Sequence, residues 1–431
     1  MTKTIQAETI QLENPTLIEA FRVWLRIGFM SFGGPAAQIA LMHREIVEVR
    51  KWLSEKQFLN ALSFCMLLPG PEAMQLATYA GWRLHGTLGG LIAGLLFVIP
   101  GAIVIAILAT IYVMYGDLPY VNALFLGIKA AVIIVVIEAL LRVAKRALSL
   151  PEHWMIALLA FIGIYFFTIP YPIIIALAAL FGFMRSAHAD SEMVDPSTQT
   201  ARFGTLSTIL IWLFIWWAPI LIIGAYNSES LLFEIGLFFS KLAVVTFGGA
   251  YAVLAYLGQD VVSQYGWITA HEMIDGLGLA ETTPGPLILV TEYVGFIAAY
   301  RDSGFGYALA GASMTLWATF IPCFLWIFAS APYIDWLSAQ VRLKGALTGI
   351  TAAVVGVILN LSVWFALHVF FAEVTPEVYG PVTLWTPTLD SLDPKVVALT
   401  ALCALLLLRF HWSIIRVLAL SSFLGLMLLW I

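Results

Sequence analysis

Two breaks built from glycine and proline interrupt the first half of the chain, Gly33-Gly34-Pro35 and Pro69-Gly70-Pro71. Two more interrupt the second half, Gly248-Gly249 and Pro284-Gly285-Pro286. A break of this kind stops one helix and starts another, and proline suits the first turn of the new helix. A helix start presents free N–H groups and roughly half a positive charge, a ready site for an anion. Glycine lets an oxyanion come close to the backbone. Four helix starts, expected after Gly34, Pro69, Gly249 and Pro284, would converge from the two halves on one small oxyanion. Kinks that only improve helix packing are the alternative. A single break would favour that alternative, whereas matched pairs favour a site.

Charged side chains inside apolar runs are costly and point to function by default. Arg26 and Lys241 occupy equivalent positions, each six residues before the phenylalanine of an FGG motif. Together they would neutralise a dianion, although a cation near a helix end can also snorkel to the interface. Arg22 is a weaker candidate because its counterpart is Leu237. Lys129 is a further anion-attracting candidate, with Thr351 as its counterpart. Lys129 and Glu138 lie nine residues apart, two and a half turns, so they face opposite ways and do not pair with each other. Glu281, Glu72 and Glu292 are the acids expected at membrane depth, where a carboxyl can load and release a proton during a transport cycle. The plainer reading of each is a protonated acid bonded to a neighbouring helix. Arg83 and Arg301 read as boundary residues.

The elements that position these residues are membrane helices. Of 431 residues, 61% are hydrophobic and 11% charged, against about a quarter charged in soluble domains. Mean hydropathy is +0.94. Apolar runs long enough to cross a bilayer recur from Leu17 onward with short polar joints. A soluble catalytic or nucleic-acid-binding domain finds no room, and a net charge of −5 argues for no polyanionic partner. Cys65, Cys323 and Cys403 show no CxxC spacing, and the histidines show no metal-ligand spacing. "HEMID" at 271–275 lacks the second histidine of a zincin, so neither an enzyme nor a cofactor is expected. The polar first sixteen residues lead into a long apolar run, and no cleaved signal peptide is expected. Trp52, Trp154, Trp267 and Trp336 read as interfacial aromatics.

One constant shift along the chain pairs Phe32–Pro71 with Phe247–Pro286 without gaps, matching Trp52 to Trp267 and Glu45 to Asp260. A second, slightly larger shift then pairs "IPG" at 99–101 with "IPC" at 321–323, and "GIKAAVIIVV" at 127–136 with "GITAAVVGVI" at 349–358. The chain therefore divides into a polar tail (1–16), a first repeat (17–184), a polar linker (185–204), one unpaired apolar helix (205–226) and a second repeat (227–431). An unpaired span between two copies inverts the second, a plan common in secondary transporters. The basic residues Arg142, Lys145, Arg146, Arg185, Arg202, Arg342, Lys344 and Arg409 mark cytoplasmic loops by the positive-inside rule. The loops at 114–120, 170–172, 227–230 and 372–394 carry no Lys or Arg and are then external, with the N-terminus inside and the C-terminus outside. Two architectures fit. If 17–42 and 58–82 both cross, about thirteen segments span. If both are re-entrant hairpins, the basic stretch 43–56 stays inside, as its charges prefer.

The order FGGP, a basic amphipathic segment, "LLPGP", "YAGWRLHG" and "VIPG", followed by "FGG" and "ETTPGP" in the second half, resembles the two-repeat, long-chain form of the chromate ion transporter family. Glu72 departs from that pattern, where a neutral polar residue is more usual. The resemblance covers nearly the whole chain. It implies an all-α, polytopic inner-membrane carrier that exports chromate, with sulfate as a structural analogue, driven by the proton potential. A carrier of sulfate, of another small anion or of a small carboxylate, and an anion channel, remain the alternatives. The expected partners are the oxyanion and the lipid bilayer, without nucleic acid; a homodimer is open to it.

Overall fold

The computed structural model describes residues 15–116, 118–186 and 202–430. Most of the expected tail and of the expected linker lies outside the described residues. The first half forms α1 (Leu17–Met30), α2 (Gly34–His43), α3 (Glu55–Cys65), α4 (Glu72–Tyr115), α5 (Pro119–Ala147), α6 (Pro151–Tyr165) and α7 (Tyr171–Arg185). After α8 (Arg202–Tyr226), the second half repeats the order: α9 (Leu231–Val245), α10 (Ala250–Gln259), α11 (Ala270–Thr282), α12 (Val290–Ser303), α13 (Phe305–Ser330), the short α14 (Ile334–Ala339), α15 (Val341–Phe370), α16 (Pro394–Ala404) and α17 (Ile414–Met427).

Local sequence explains why the halves match. Ser54 and Thr269, counterparts in the two repeats, each cap the next helix through a capping box, with Gln57 and Glu272 as the returning partners. A π-helical stretch follows α2 at Arg44–Val49 and α10 at Asp260–Gln264. It is closed by Trp52 N–H donating to the Ile46 carbonyl and Trp267 N–H to the Val261 carbonyl. These two tryptophans are buried. They pack against the turn, whereas Trp154 and Trp336 are exposed.

The 44 residues of α4 are two antiparallel arms folded back at His85 and Gly86, whose φ is 61° and ψ −155°. A Cβ on Gly81 would lie 2.3 Å from the Gly89 carbonyl oxygen, so the arms touch through their backbones. Gly304, at φ 79° and ψ −165°, makes the same turn between α12 and α13. His85 Nε2 lies 2.8 Å from the Pro15 carbonyl, so the stretch from α1 to the end of the first arm begins and returns at one end of the molecule. With 14, 10 and 11 residues, α1, α2 and α3 fall short of the roughly 20 needed to cross a bilayer. Neither 17–42 nor 58–82 forms a continuous helix long enough to span; each is broken at its glycine and proline motif.

Among the described residues, five helices are long and apolar enough to cross, within Glu72–Tyr115, Pro119–Ala147, Gly204–Tyr226, Phe305–Tyr333 and Val341–Phe370. Shorter apolar helices accompany them. Exposed Phe214, Leu221 and Ile222 on α8 fit a lipid-facing surface, and the chain is a multi-pass membrane protein.

The halves exchange their last two helices. α6 and α7 pack against α15, while α16 and α17 pack against α5. Gly127 of α5 abuts Ser421 of α17, where a Cβ would sit 1.9 Å from the carbonyl oxygen. Its counterpart Gly349 abuts Ala178 of α7 at 2.2 Å. One β-hairpin interrupts the all-α expectation: β1 (Val374–Tyr379) pairs antiparallel with β2 (Val382–Pro387). Gly380 supplies the positive φ that a two-residue hairpin loop requires. The Thr383 N–H donates to the Phe166 carbonyl, so the loops at 166–170 and 371–393, neither carrying Lys or Arg, lie at the same end.

Gly127→Val and Gly349→Val should each lower stability by about 1–3 kcal/mol by overpacking equivalent crossings. Thermal melts in detergent measure it, with Gly204→Ala, whose Cβ would meet nothing, expected to show no loss.

Candidate functional site

The four breaks meet. The Gly70 N–H donates to the Thr246 carbonyl at 2.8 Å, and the Gly285 N–H donates to the Ser31 carbonyl at 2.8 Å. Ser31 and Thr246 are counterparts in the repeat, as are Gly70 and Gly285, so each break bonds the opposite kind of break in the other half. Ser31 Oγ and Thr246 Oγ1 donate back to the Ile27 and Leu242 carbonyls, both at 2.6 Å, and close the helix ends. Gln38 Nε2 donates to the Gly285 carbonyl at 2.7 Å and Gln75 Nε2 to the Pro69 carbonyl at 2.7 Å. The meeting point lies half-way along the second arm of α4, since Gly101, the middle residue of 87–115, faces the Pro284 carbonyl.

Gly33, Gly34, Gly70, Gly248, Gly249 and Gly285 all have φ between 78° and 119°, which a side chain would strain. The new helices begin at Gly34, with Pro35 in the first turn, at Glu72 after Pro71, and at Ala250. Beyond Pro286 the chain first makes a 3-10 turn, Leu287–Leu289. The two Pro-Gly-Pro helices therefore start after the second proline, not after Pro69 and Pro284 as expected. The reason is that Gly70 and Gly285 turn out to hydrogen-bond the other half before any helix forms.

Between the breaks lies a cleft of about 10 Å³, bordered by Pro35, Pro71, Glu72, Ala250 and Pro286. It has room for roughly one water. A larger pocket of about 290 Å³ adjoins it, sharing Glu72, and is lined by Gly70, Arg146, Gly248, Gly249 and Thr351 among others. That volume sits at the small-molecule end of ligand pockets. The N–H groups of Gly248 and Gly249 have no hydrogen-bond partner among the described residues.

The charged candidates are distributed differently from the sequence expectation. Arg26 and Lys241 are both exposed and line neither cavity. Six residues is one and two-thirds turns, which puts Arg26 outside the buried face formed by Ala20, Val23, Trp24 and Ile27. Lys241 Nζ lies 5.8 Å from the ring centroid of Tyr256. The cation of the pocket is Arg146, in the last turn of α5. Sequence reading counted it only as a loop charge; its place one turn beyond Val143, at the end of an apolar run, was the available signal.

Lys129 does not stand free either. Its Nζ lies 3.4 Å from Asp275 Oδ1, and Tyr112 OH donates to Asp275 Oδ2 at 2.9 Å. Glu138 pairs with Arg142 at 2.6 Å, so Lys129 and Glu138 do not pair with each other. Of the acids, Glu72 lines the pocket, and its Oε1 is 4.0 Å from where a Cβ on Gly249 would lie. Glu281 is buried and accepts from Tyr251 OH, in the first turn of α10, at 2.6 Å. Glu292 is buried with its Oε2 unpartnered. Only Glu72 reaches the pocket.

The chromate transporter family profile matches residues 18–183 and 233–426. A chromate transport protein of Pseudomonas aeruginosa is 32% identical over 371 residues, 83% of this chain and 82% of the relative. A probable chromate transport protein of Synechococcus elongatus is 29% identical over 343 residues, covering 80% and 83%. An uncharacterised transporter of Methanocaldococcus jannaschii is 27% identical over 375 residues, covering 86% and 89%. No solved structure shows significant similarity. Matched across both halves, and with relatives aligned over most of their own length, the chain belongs to the chromate transporter family.

Proposed function

We propose that this protein is a proton-coupled secondary carrier that exports chromate across the inner membrane, with sulfate as an analogue. The observation that carries this reading is the 290 Å³ pocket lined by Arg146 and by Gly248 and Gly249, whose N–H groups have no hydrogen-bond partner among the described residues. A guanidinium and two backbone donors suit a four-oxygen dianion, because charge-assisted hydrogen bonds are the strong ones. The reciprocal bonds at the breaks support inverted repeats rocking about a common centre.

The Lys and Arg distribution puts the Arg146 end in the cytoplasm. The pocket then opens inward, the orientation that loads an exporter. The 10 Å³ cleft beyond it is too narrow for an oxyanion, which favours a carrier over an open channel. Gly33, Gly34 and Pro35, with Pro284, Gly285 and Pro286, form the matching half-site on the far side of the cleft. Glu72, at the junction of pocket and cleft, is the proton carrier: protonated, it stops repelling the anion and lets it advance. Glu281, tied to the break through Tyr251, holds the helix start in position.

Arg146→Gln should reduce chromate transport in proteoliposomes by about tenfold or more, the loss of one charged hydrogen-bond donor, with little change in melting temperature because the side chain is exposed. Arg26→Gln and Lys241→Gln should transport as the parent does; the reverse pattern would return the anion site to those two residues. Glu72→Gln should keep chromate–sulfate exchange while losing the acceleration by an imposed pH gradient. Retained acceleration in Glu72→Gln, with loss in Glu281→Gln, would move the proton to Glu281.

A further inference from the structure

We propose that Lys129 and Asp275 form a second oxyanion site at the opposite end of α5, closed in this structure because the Asp275 carboxylate occupies the place of the anion. The inference rests on the carrier reading above. It starts from the repeat. Thr351 and Arg146 line the open pocket, and under the shift that pairs 127–136 with 349–358 their counterparts are Lys129 and His368. The wall that α5 and α15 build at one end is thus built at the other with the helices exchanging roles. Lys129 precedes Arg146 by almost five helical turns, about 25 Å along α5.

The two ends differ in how the hairpin helix seats. Gly278 of α11 packs directly on α5, where an added Cβ would lie 2.1 Å from Ile128 Cγ2. At the other end, Cys65 and Met66, at the end of α3, face α15 across the open pocket. One end is shut where the other is open. Inside the shut end, Asp275 is 3% exposed. Its position in the first half is Asn60, so the acid belongs to this end alone.

The carboxylate is incompletely bonded. Tyr112 OH donates to Oδ2, while Oδ1 is met only by Lys129, at a long 3.4 Å. Glu272 is engaged by Arg301 at 2.6 Å and does not compete for Lys129. His271 lies near the lysine, with His368 beside it, and Tyr293 packs against Tyr112. Moving α11 away would withdraw Asp275 and leave Lys129 and Tyr112 as donors for a tetrahedral dianion, the same chemistry that Arg146 and the glycine N–H groups offer at the open end.

Transport of chromate and of sulfate should be assayed from each face separately, in right-side-out and inverted vesicles. Asp275→Asn removes the internal competitor and should lower KM on the Lys129 face about threefold or more, leaving KM on the Arg146 face unchanged. Unchanged KM on both faces, while Arg146→Gln still raises KM on its own face, would overturn the second site and leave the carrier reading intact. Absence of chromate transport by the parent protein from either face would instead overturn the carrier reading. Lys129→Met combined with Asp275→Leu guards against misfolding, because apolar replacement of a buried pair is usually tolerated. That double variant should fold and bind from the Arg146 face yet lose saturable uptake from the other. Uptake at the parental KM from both faces would also overturn the proposal.

Discussion

An unpaired backbone N–H or C=O inside a bilayer costs several kcal/mol, and the architecture depends on meeting that constraint at four helix breaks. The bonds from Gly70 to Thr246 and from Gly285 to Ser31 meet it reciprocally, each half supplying one donor and one acceptor. Side chains of the same half help, Gln75 at the Pro69 carbonyl among them, but the glycine N–H groups of the two Pro-Gly-Pro breaks are satisfied only from the other half. The glycine and proline tripeptides therefore have to face each other, and the centre of the molecule is where they do. Gly248 and Gly249, whose N–H groups have no hydrogen-bond partner among the described residues, line the pocket.

A second exchange holds that centre in place. α7 closes on α15 and α17 on α5, through the matched contacts of Gly349 with Ala178 and Gly127 with Ser421. Small residues let membrane helices approach to backbone contact, where packing and weak polar contacts replace the hydrophobic effect that lipid cannot supply. Each half is thus clamped by the other's terminal helices, while the short helices beside the breaks are seated differently: Gly278 of α11 packs on Ile128, whereas the end of α3 borders the open pocket.

Charge follows the same division. The cation of the pocket, Arg146, sits in the last turn of the long helix α5, and Lys129, paired with Asp275, lies almost five turns earlier on the same helix. Those on the short helices α1 and α9, Arg26 and Lys241, point outward. A long packed helix holds a side chain at a fixed depth, whereas a short one is rotated by whatever its break requires. Acids stand beside both α5 cations, Glu72 at the pocket and Asp275 at the closed end.

Sequence by itself determined the membrane class, the repeat, the family resemblance and the four breaks, because each is a local property: apolar run length, identity at a constant shift, and residues that demand positive φ. It left two architectures for 17–42 and 58–82, spans or hairpins, with the basic charges at 43–56 preferring hairpins. It could not indicate that Arg146 lines a pocket, because that pocket's other walls come from the opposite half. Nor did it single out Asp275, whose importance is its 3.4 Å approach to Lys129 from the other repeat. Tertiary structure alone decided which charges face inward, since helix rotation is set by packing against neighbours distant in the chain, and spacing along one helix does not contain it.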